Sequence, residues 1–183
     1  MDEATLISRA AAGDAAAWEP LVLAYQEPVF RLAYLILGDP DEAEDIAQET
    51  FLRAWGRLDR FDPTRPLRPW VLRIAANLAS NHRRSAARHL SALLRGIRAQ
   101  PDAQGIEESS TQHMDSEQLW RAVRRLDASD QQVIYLRYFL DLSVTETADT
   151  LEMHEGTVKS RLHRALERLR IVIQNEFPML GDE

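Results

Sequence analysis

The chain has 183 residues, 45% of them hydrophobic, which is enough for packed cores in one or two small domains, and its formal net charge is −7. That charge argues against a general nucleic-acid coat, no apolar run approaches the ~20 residues of a membrane span, and the absence of cysteine removes both a disulfide framework and a thiolate metal site. The acidic, polar N-terminus is unlike a signal peptide, so a soluble cytoplasmic protein with no direct membrane insertion is expected.

The charges fall in blocks. Asp39, Asp41, Glu42, Glu44, Asp45 and Glu49 sit in a stretch with no basic residue. From Arg65 to Arg98 every formal charge is an arginine. From Ala99 to Leu119 every charge is acidic again. Such alternation points to separate surfaces for separate partners.

In chain order, Leu6, Ile7 and Ala10 mark a short first helix, with Gly13 as its stop and Asp14 as the cap of the next. Trp18, Leu21, Val22, Tyr25, Val29, Leu32 and Ile36 recur at helical spacing, and Pro28 inside that pattern predicts a kink or a restart. Gly38 ends it. Asp39-Pro40 is a cap with proline at the first helical position. Ala43, Ile46, Ala47, Thr50, Phe51, Ala54, Trp55 and Leu58 then share one face, opposite Asp41, Glu44, Asp45, Gln48, Glu49 and Arg53. That polar face cannot bind phosphates. The helix dipole accounts for acids in the first turn, but not for Gln48 and Glu49 deeper in the helix.

Asp59 to Pro69 reads as a loop. From Trp70 the period returns, with Trp70, Val71, Ile74, Ala75 and Leu78 inward and Arg73, Asn77, Ser80, Asn81, Arg83 and Arg84 on the wet face. Amides with arginines can bond both bases and phosphates. Leu90, Leu93, Leu94 and Ile97 keep the period to about Arg98. That late stripe is left open between packing on a second domain, binding a partner and capping the first domain. Residues 99–114 read as a flexible linker.

Two further hydrophobic segments follow, Leu119 to Leu126 and Val133 to Leu140. Ser143-Val144-Thr145-Glu146 is a capping-box pattern. Glu152 to Gly156 reads as a glycine-containing turn, and Thr157 opens the last helix. There Val158, Leu162, Ala165, Leu166 and Leu169 make the apolar face. Lys159, Ser160, Arg161, His163, Arg164, Arg168 and Arg170 make the other. A capped helix, a turn and a basic amphipathic helix form a helix-turn-helix, whose second helix enters the major groove. The expected fold is therefore all-α, with a helical domain at 1–98, the linker at 99–114, and a helix-turn-helix domain at 115–183.

Three of these segments carry a resemblance. Asp41 to Trp55 resembles the most recognisable segment of bacterial sigma factors. Arg68 to Ala79 resembles the helix that follows it there, and Gly156 to Ala165 is similar to the sigma recognition helix. In this order and without other domains, they resemble the extracytoplasmic-function (ECF) group of the sigma-70 family. The resemblance implies a protein that binds core RNA polymerase, directs it to promoters and helps open the duplex, with no covalent chemistry of its own. It implies that Asp45, Gln48 and Glu49 dock on the clamp helices of the largest polymerase subunit. Asn77 would read a flipped-out base of the −10 element, in a pocket that the Asp59–Pro69 loop helps to form, with Arg73, Arg83 and Arg84 on the backbone. Thr157, Lys159, Ser160, Arg161, His163 and Arg164 would contact the −35 element, Arg161 through a phosphate. An anti-sigma factor is the implied regulator. The chain departs from the pattern at Pro63, Pro66, Ala76, Asn81 and His163, which bear on promoter preference.

A helix-turn-helix regulator acting without polymerase is the alternative. It accounts for Ser143–Arg170 but leaves the acidic helix and Asn77 without roles. His82, His89, His113, His154 and His163 show no metal-ligand spacing and no glycine-rich phosphate loop exists, so no metal, cofactor, small-molecule substrate or catalytic residue is expected.

Overall fold

In the computed structural model, residues 2–96 and 111–177 are described, with side chains over 2–88 and 118–177. The order is α1 (Glu3–Ala11), α2 (Ala15–Leu37), α3 (Pro40–Trp55), α4 (Leu67–Gly96), α5 (Thr111–Arg124), α6 (Ala128–Ile134), α7 (Val144–Leu151) and α8 (Glu155–Glu176). A 3-10 turn at Leu58–Arg60 lies in the loop before α4, and a π-helical turn at Tyr135–Phe139 extends α6.

The helix starts follow the local chemistry of the sequence. Asp2, Asp14, Asp39 and Asp127 each accept a backbone N–H of the first turn that has no partner within the helix. At α7 the full reciprocal box forms: Ser143 Oγ accepts from Glu146 N at 3.1 Å, and Glu146 Oε2 accepts from Ser143 N at 2.8 Å. Gly38 closes α2 at φ +83°, the left-handed conformation in which a glycine is unstrained.

Proline does not break α2. The helix runs continuously through Pro20 and Pro28. Each proline removes one donor, and the carbonyls deprived of it belong to the exposed residues Ala16 and Ala24. Tertiary packing of Val29, Leu32, Ala33 and Ile36, all fully buried, then holds the helix together.

The last turn also differs from expectation. Gly156 lies inside α8, which begins at Glu155 behind His154. The turn is Glu152–His154, and its left-handed residue is Glu152, at φ +54°. Likewise α5 begins at Thr111, within the stretch expected as linker. The Leu90, Leu93, Leu94 and Ile97 stripe, and the expected linker at 99–114, lie outside the residues whose side chains are described.

Helices α1 to α4 enclose Ile7, Leu32, Ile36, Leu58, Leu67, Val71 and Leu72. Ala122, Val123, Tyr135, Leu136, Leu142, Ala165 and Leu169 continue the same buried cluster into α5–α8. Val133, Ala148 and Val158 form a smaller cluster that pins α7 and α8 to α6. The two helical units thus pack against each other, α4 lying against α7.

Two outcomes follow. Leu72→Ala removes a fully buried side chain of α4 from the core cluster, and should cost about 2–5 kcal/mol in chemical denaturation. The second outcome concerns pH. Burial pushes the Glu146 carboxyl up, but hydrogen bonds from Ser143 and the charges of Arg68 and Arg137 outweigh it and leave it below its ordinary value of 4.5. Hydrogen bonds from Ser129 and Asp130 hold Asp127 below 3.8. Both groups bind fewer protons folded than unfolded. Their stabilisation is therefore complete above the unfolded values and is lost as pH falls through the lower folded ones. The denaturation midpoint should drop as pH is taken from about 5 to about 3, and less so in Asp127→Asn.

Candidate functional site

Three surfaces of different chemistry emerge from these helices. The first is a groove of about 830 Å³ between α2 and α3. Its walls are Trp18, Val22, Phe30, Phe51, Leu52 and Trp55, and Glu27, Glu44 and Gln48 stand at its rim. Trp18 packs edge-on to Phe51 at 6.3 Å and against Trp55 at 5.6 Å, so the walls are rigid aromatic planes. Leu52 is 68% exposed. Asp45 and Gln48 are exposed on the same helix, and Glu49 pairs with Arg53 at 2.6 Å.

Helical periodicity alone places Phe51 and Trp55 in the core, and it does not reveal the groove. The signal available in the sequence was Leu52, an apolar residue out of phase with the buried stripe. A large exposed leucine beside partly buried aromatics, rimmed by carboxylates, marks a contact surface for an apolar and basic partner.

The second surface is the face of α4. Arg53, Arg57, Trp70, Arg73, Ile74, Asn77, Leu78 and Asn81 line a polar cleft of about 310 Å³, and Glu152 from the turn after α7 closes one side of it. Asn77 is exposed within it. Arg73 Nη1 donates to Glu152 Oε1 at 2.8 Å. Arg84 bonds the Ser80 carbonyl at 3.3 Å and Asn81 Oδ1 at 2.6 Å along its own helix.

Arg83 is occupied differently from its neighbours. It is partly buried, and its Nη1 donates to Gln131 Oε1 at 3.0 Å and to the Ile36 carbonyl at 3.4 Å, joining α4 to α6 and to the end of α2. The loop preceding α4 is held by Asp62, whose Oδ1 accepts from Thr64 N at 2.9 Å and Thr64 Oγ1 at 2.7 Å. Phe61 packs on Trp70 at 4.8 Å, which places the loop beside the cleft. Ala76 is buried, so it faces the core rather than the cleft.

The third surface is α8. Val158, Ala165 and Leu169 are buried, while Thr157, Lys159, Ser160, His163 and Arg164 are exposed and Arg161 is half-buried at the edge. Leu166, expected inward, is mostly on the wet side at 37% exposure. Thr145 Oγ1 donates to Glu155 Oε1 at 2.6 Å, fixing the start of α8 against α7. Arg168 reaches back to the buried Asp130 and to Asp127 at the cap of α6. The basic face of α8 is thereby presented on a rigid three-helix support, in the geometry of a major-groove reader.

Among the described residues no group of three or more His, Asp or Glu side chains has metal-holding geometry. Among the same residues no helix is long and apolar enough to cross a membrane.

Comparison with known proteins agrees with this arrangement. Residues 21–89 match the Sigma-70 region 2 family model, and residues 116–169 match Sigma-70 region 4. The chain is 36% identical over 174 residues to the ECF RNA polymerase sigma factor SigL of Mycobacterium tuberculosis, covering 92% of this chain and 95% of that one. It is 34% identical over 167 residues to the ECF RNA polymerase sigma factor SigW of Bacillus subtilis, covering 86% and 89%. The fold is shared with CnrH, solved in complex with the cytosolic domain of CnrY (TM-score 0.72, 24% identity, 95% of this chain and 98% of that one). It is also shared with RpoE, solved with the anti-sigma factor NepR from Bartonella quintana (TM-score 0.66, 23% identity, 86% and 97%). With an acid-rimmed apolar groove, an arginine-and-amide helix face and a helix-turn-helix in one chain, and relatives matched across nearly their whole length, the chain belongs to the ECF group of the sigma-70 family, RNA polymerase sigma factors that initiate transcription.

Proposed function

We propose that the chain binds core RNA polymerase through the α2/α3 groove and its carboxylate rim, and reads two promoter elements with the faces of α4 and α8. The observation that carries this reading is the groove. A regulator acting on free DNA needs no acid-rimmed apolar surface separate from the cleft that carries Asn77. Asp45, Gln48 and Glu49 supply the polar contacts to basic clamp helices, and Leu52, Phe51 and Trp55 supply the apolar area. A central aromatic cluster ringed by charge is the arrangement in which interface energy concentrates.

In this reading residues 1–98 form the −10 unit, 115–183 the −35 unit, and 99–114 join them. The cleft beside Asn77 takes a base flipped out of the stack. The unstacking energy is repaid there by hydrogen bonds to Asn77 and by the aromatic wall of Trp70. Arg73, Arg83 and Arg84 hold the adjacent backbone electrostatically. Use of Arg83 requires release from Gln131 and Ile36. Thr157, Lys159, Ser160, His163 and Arg164 read the −35 duplex, and Arg161 supports them at a phosphate. The chain itself does no covalent chemistry and carries no cofactor. An anti-sigma factor is the proposed regulator; RpoE, which shares the fold, was solved in complex with the anti-sigma factor NepR.

The test is transcription by purified core polymerase, with and without the protein, on a library of promoter-like duplexes. Enriched transcripts sharing two spaced upstream elements support the reading. Core-independent DNA binding without initiation supports the alternative regulator. Asp45→Lys with Glu44→Lys should lower core affinity at least tenfold in a pull-down titration, by placing like charges against a basic surface. Arg164→Ala should weaken binding to the selected −35 duplex by about 1–3 kcal/mol and relax preference at one base pair. An equal loss on all sequences would assign it to a phosphate instead.

A further inference from the structure

Two amides stand one helical turn apart in the α4 cleft, and they are not chemically equivalent. Asn77 and Asn81 both line the cleft and both are exposed. Four residues of helix separate them by about 6 Å along the axis, on the same side. An asparagine amide carries an acceptor oxygen and two N–H donors, so a free one can meet either kind of base edge. Among the described residues the Asn77 side chain makes no hydrogen bond, so it keeps both.

Asn81 does not. Its Oδ1 accepts from Arg84 Nη2 at 2.6 Å. Arg84 Nε donates to the Ser80 carbonyl at 3.3 Å, so the guanidinium is anchored at two points along its own helix. Which end of the amide faces Arg84 follows from chemistry. A guanidinium has five N–H donors and no acceptor, so only the oxygen can meet it. The amide is therefore held with its oxygen against Arg84 and its NH2 group turned away. A base amino group approaching Oδ1 would come up against the guanidinium N–H groups and their positive charge. What the pair offers outward is donors alone.

The bases differ in what they show to donors. On the major-groove edge guanine presents two acceptors, thymine one, adenine an acceptor and a donor, and cytosine only a donor. A free asparagine matches adenine, with its oxygen on N6 and its NH2 on N7. A donor-only pair matches guanine and is opposed by cytosine. The two ends of the cleft differ as well. Trp70, with Phe61 packed on it at 4.8 Å, stands at the loop end, and Asn81 lies farther along α4, away from the loop. A base flipped into this cleft marks the boundary between open and paired DNA. One neighbouring base pair stays closed there and shows only its groove edges.

We infer that Asn81, its amide fixed by Arg84, reads the base pair next to the flipped base through the major-groove edge, selecting guanine and rejecting cytosine on the strand that faces α4. Asn81 makes the contact. Arg84 is a positioning residue: it occupies the acceptor and so removes the match to adenine, while its remaining N–H groups stay available to the DNA backbone. The inference rests on the reading of α4 as the −10 face.

The test is core-dependent transcription on a promoter library randomised through the −10 region, with the position that Asn77→Ala relaxes marking the flipped base. The position beside it should favour guanine over cytosine at least about fivefold in the parent. Asn81→Asp replaces the donor by an acceptor and should reverse the preference to cytosine, whose N4 amino group a carboxylate accepts, at that position alone. Arg84→Ala frees the amide oxygen and should raise adenine to at least parity with guanine, whereas Arg84→Lys keeps a donor on the oxygen and should restore part of the guanine preference. Both side chains are exposed, so the variants should melt with the parent. An unchanged base order in Asn81→Asp, or a loss spread evenly over all sequences, overturns the readout. Reversal in Asn81→Asp with no gain of adenine in Arg84→Ala overturns the role of Arg84. Absence of core-dependent initiation by the parent overturns the reading of α4 itself, a failure distinct from both.

Discussion

Helix α4 has to satisfy two partners at once, and most of the architecture follows from how it does so. Val71, Leu72, Ala75 and Ala79 are buried in the core, and α2 and α3 pack on this helix. The neighbouring face is polar. Arg68 and Arg73 turn to α7 and its flanks, while Ser80 and Arg83 turn to α6, with Gln132 Nε2 donating to Ser80 Oγ at 2.7 Å. The two faces obey different physics. Apolar burial is non-directional and is lost wholesale if the helix leaves. Each polar contact can be exchanged for one with water or phosphate at little net change. One helix can therefore be a permanent part of a core and a replaceable interface.

The charge blocks acquire meaning through that division. The acids at 39–49 split by depth in α3. Asp39 caps the helix and Asp41 and Glu42 meet its dipole, while Glu44 stands at the rim of the apolar groove beside the neutral Gln48. The arginines at 65–98 split by height along α4. Arg65, Arg68 and Arg73 face acids of the second unit, Arg83 bridges α4 to α6, and Arg84 folds along its own helix. A net charge of −7 on a promoter-binding chain is then consistent, because much of the negative charge answers arginines within the molecule or faces a basic protein rather than DNA.

The aromatic residues play a parallel part. Trp18, Phe51 and Trp55 wall the groove on one side of the first unit. On another side Tyr34 stacks parallel to Trp120 at 6.2 Å, and Arg124 lies over the Trp120 ring at 4.7 Å. Arg124 also fills the space beside Gly38, where a Cβ would come within 2.6 Å of its guanidinium. Glycine at position 38 thus serves both the left-handed cap and the close approach of the two units.

Helix positions, caps and faces were legible in the sequence because they depend on bonds between residues three or four apart. The Asp14, Asp39 and Ser143 caps, the apolar stripe of α3 and the exposed side of α8 could each be read from a window of a dozen residues. Local reading failed where a distant partner outweighed a local preference. Pro28 does not end α2, because burial of Val29 and Leu32 holds the helix. Gly156 does not make the turn, because the left-handed position fell to Glu152. The groove beside Leu52 and the pairing of α7 with α4 were invisible for the same reason, since each joins residues far apart in the chain. By itself the sequence determined which helices form and which chemistry each displays. Only the tertiary structure decided which displayed faces meet, because that depends on complementary shape and charge across the whole molecule.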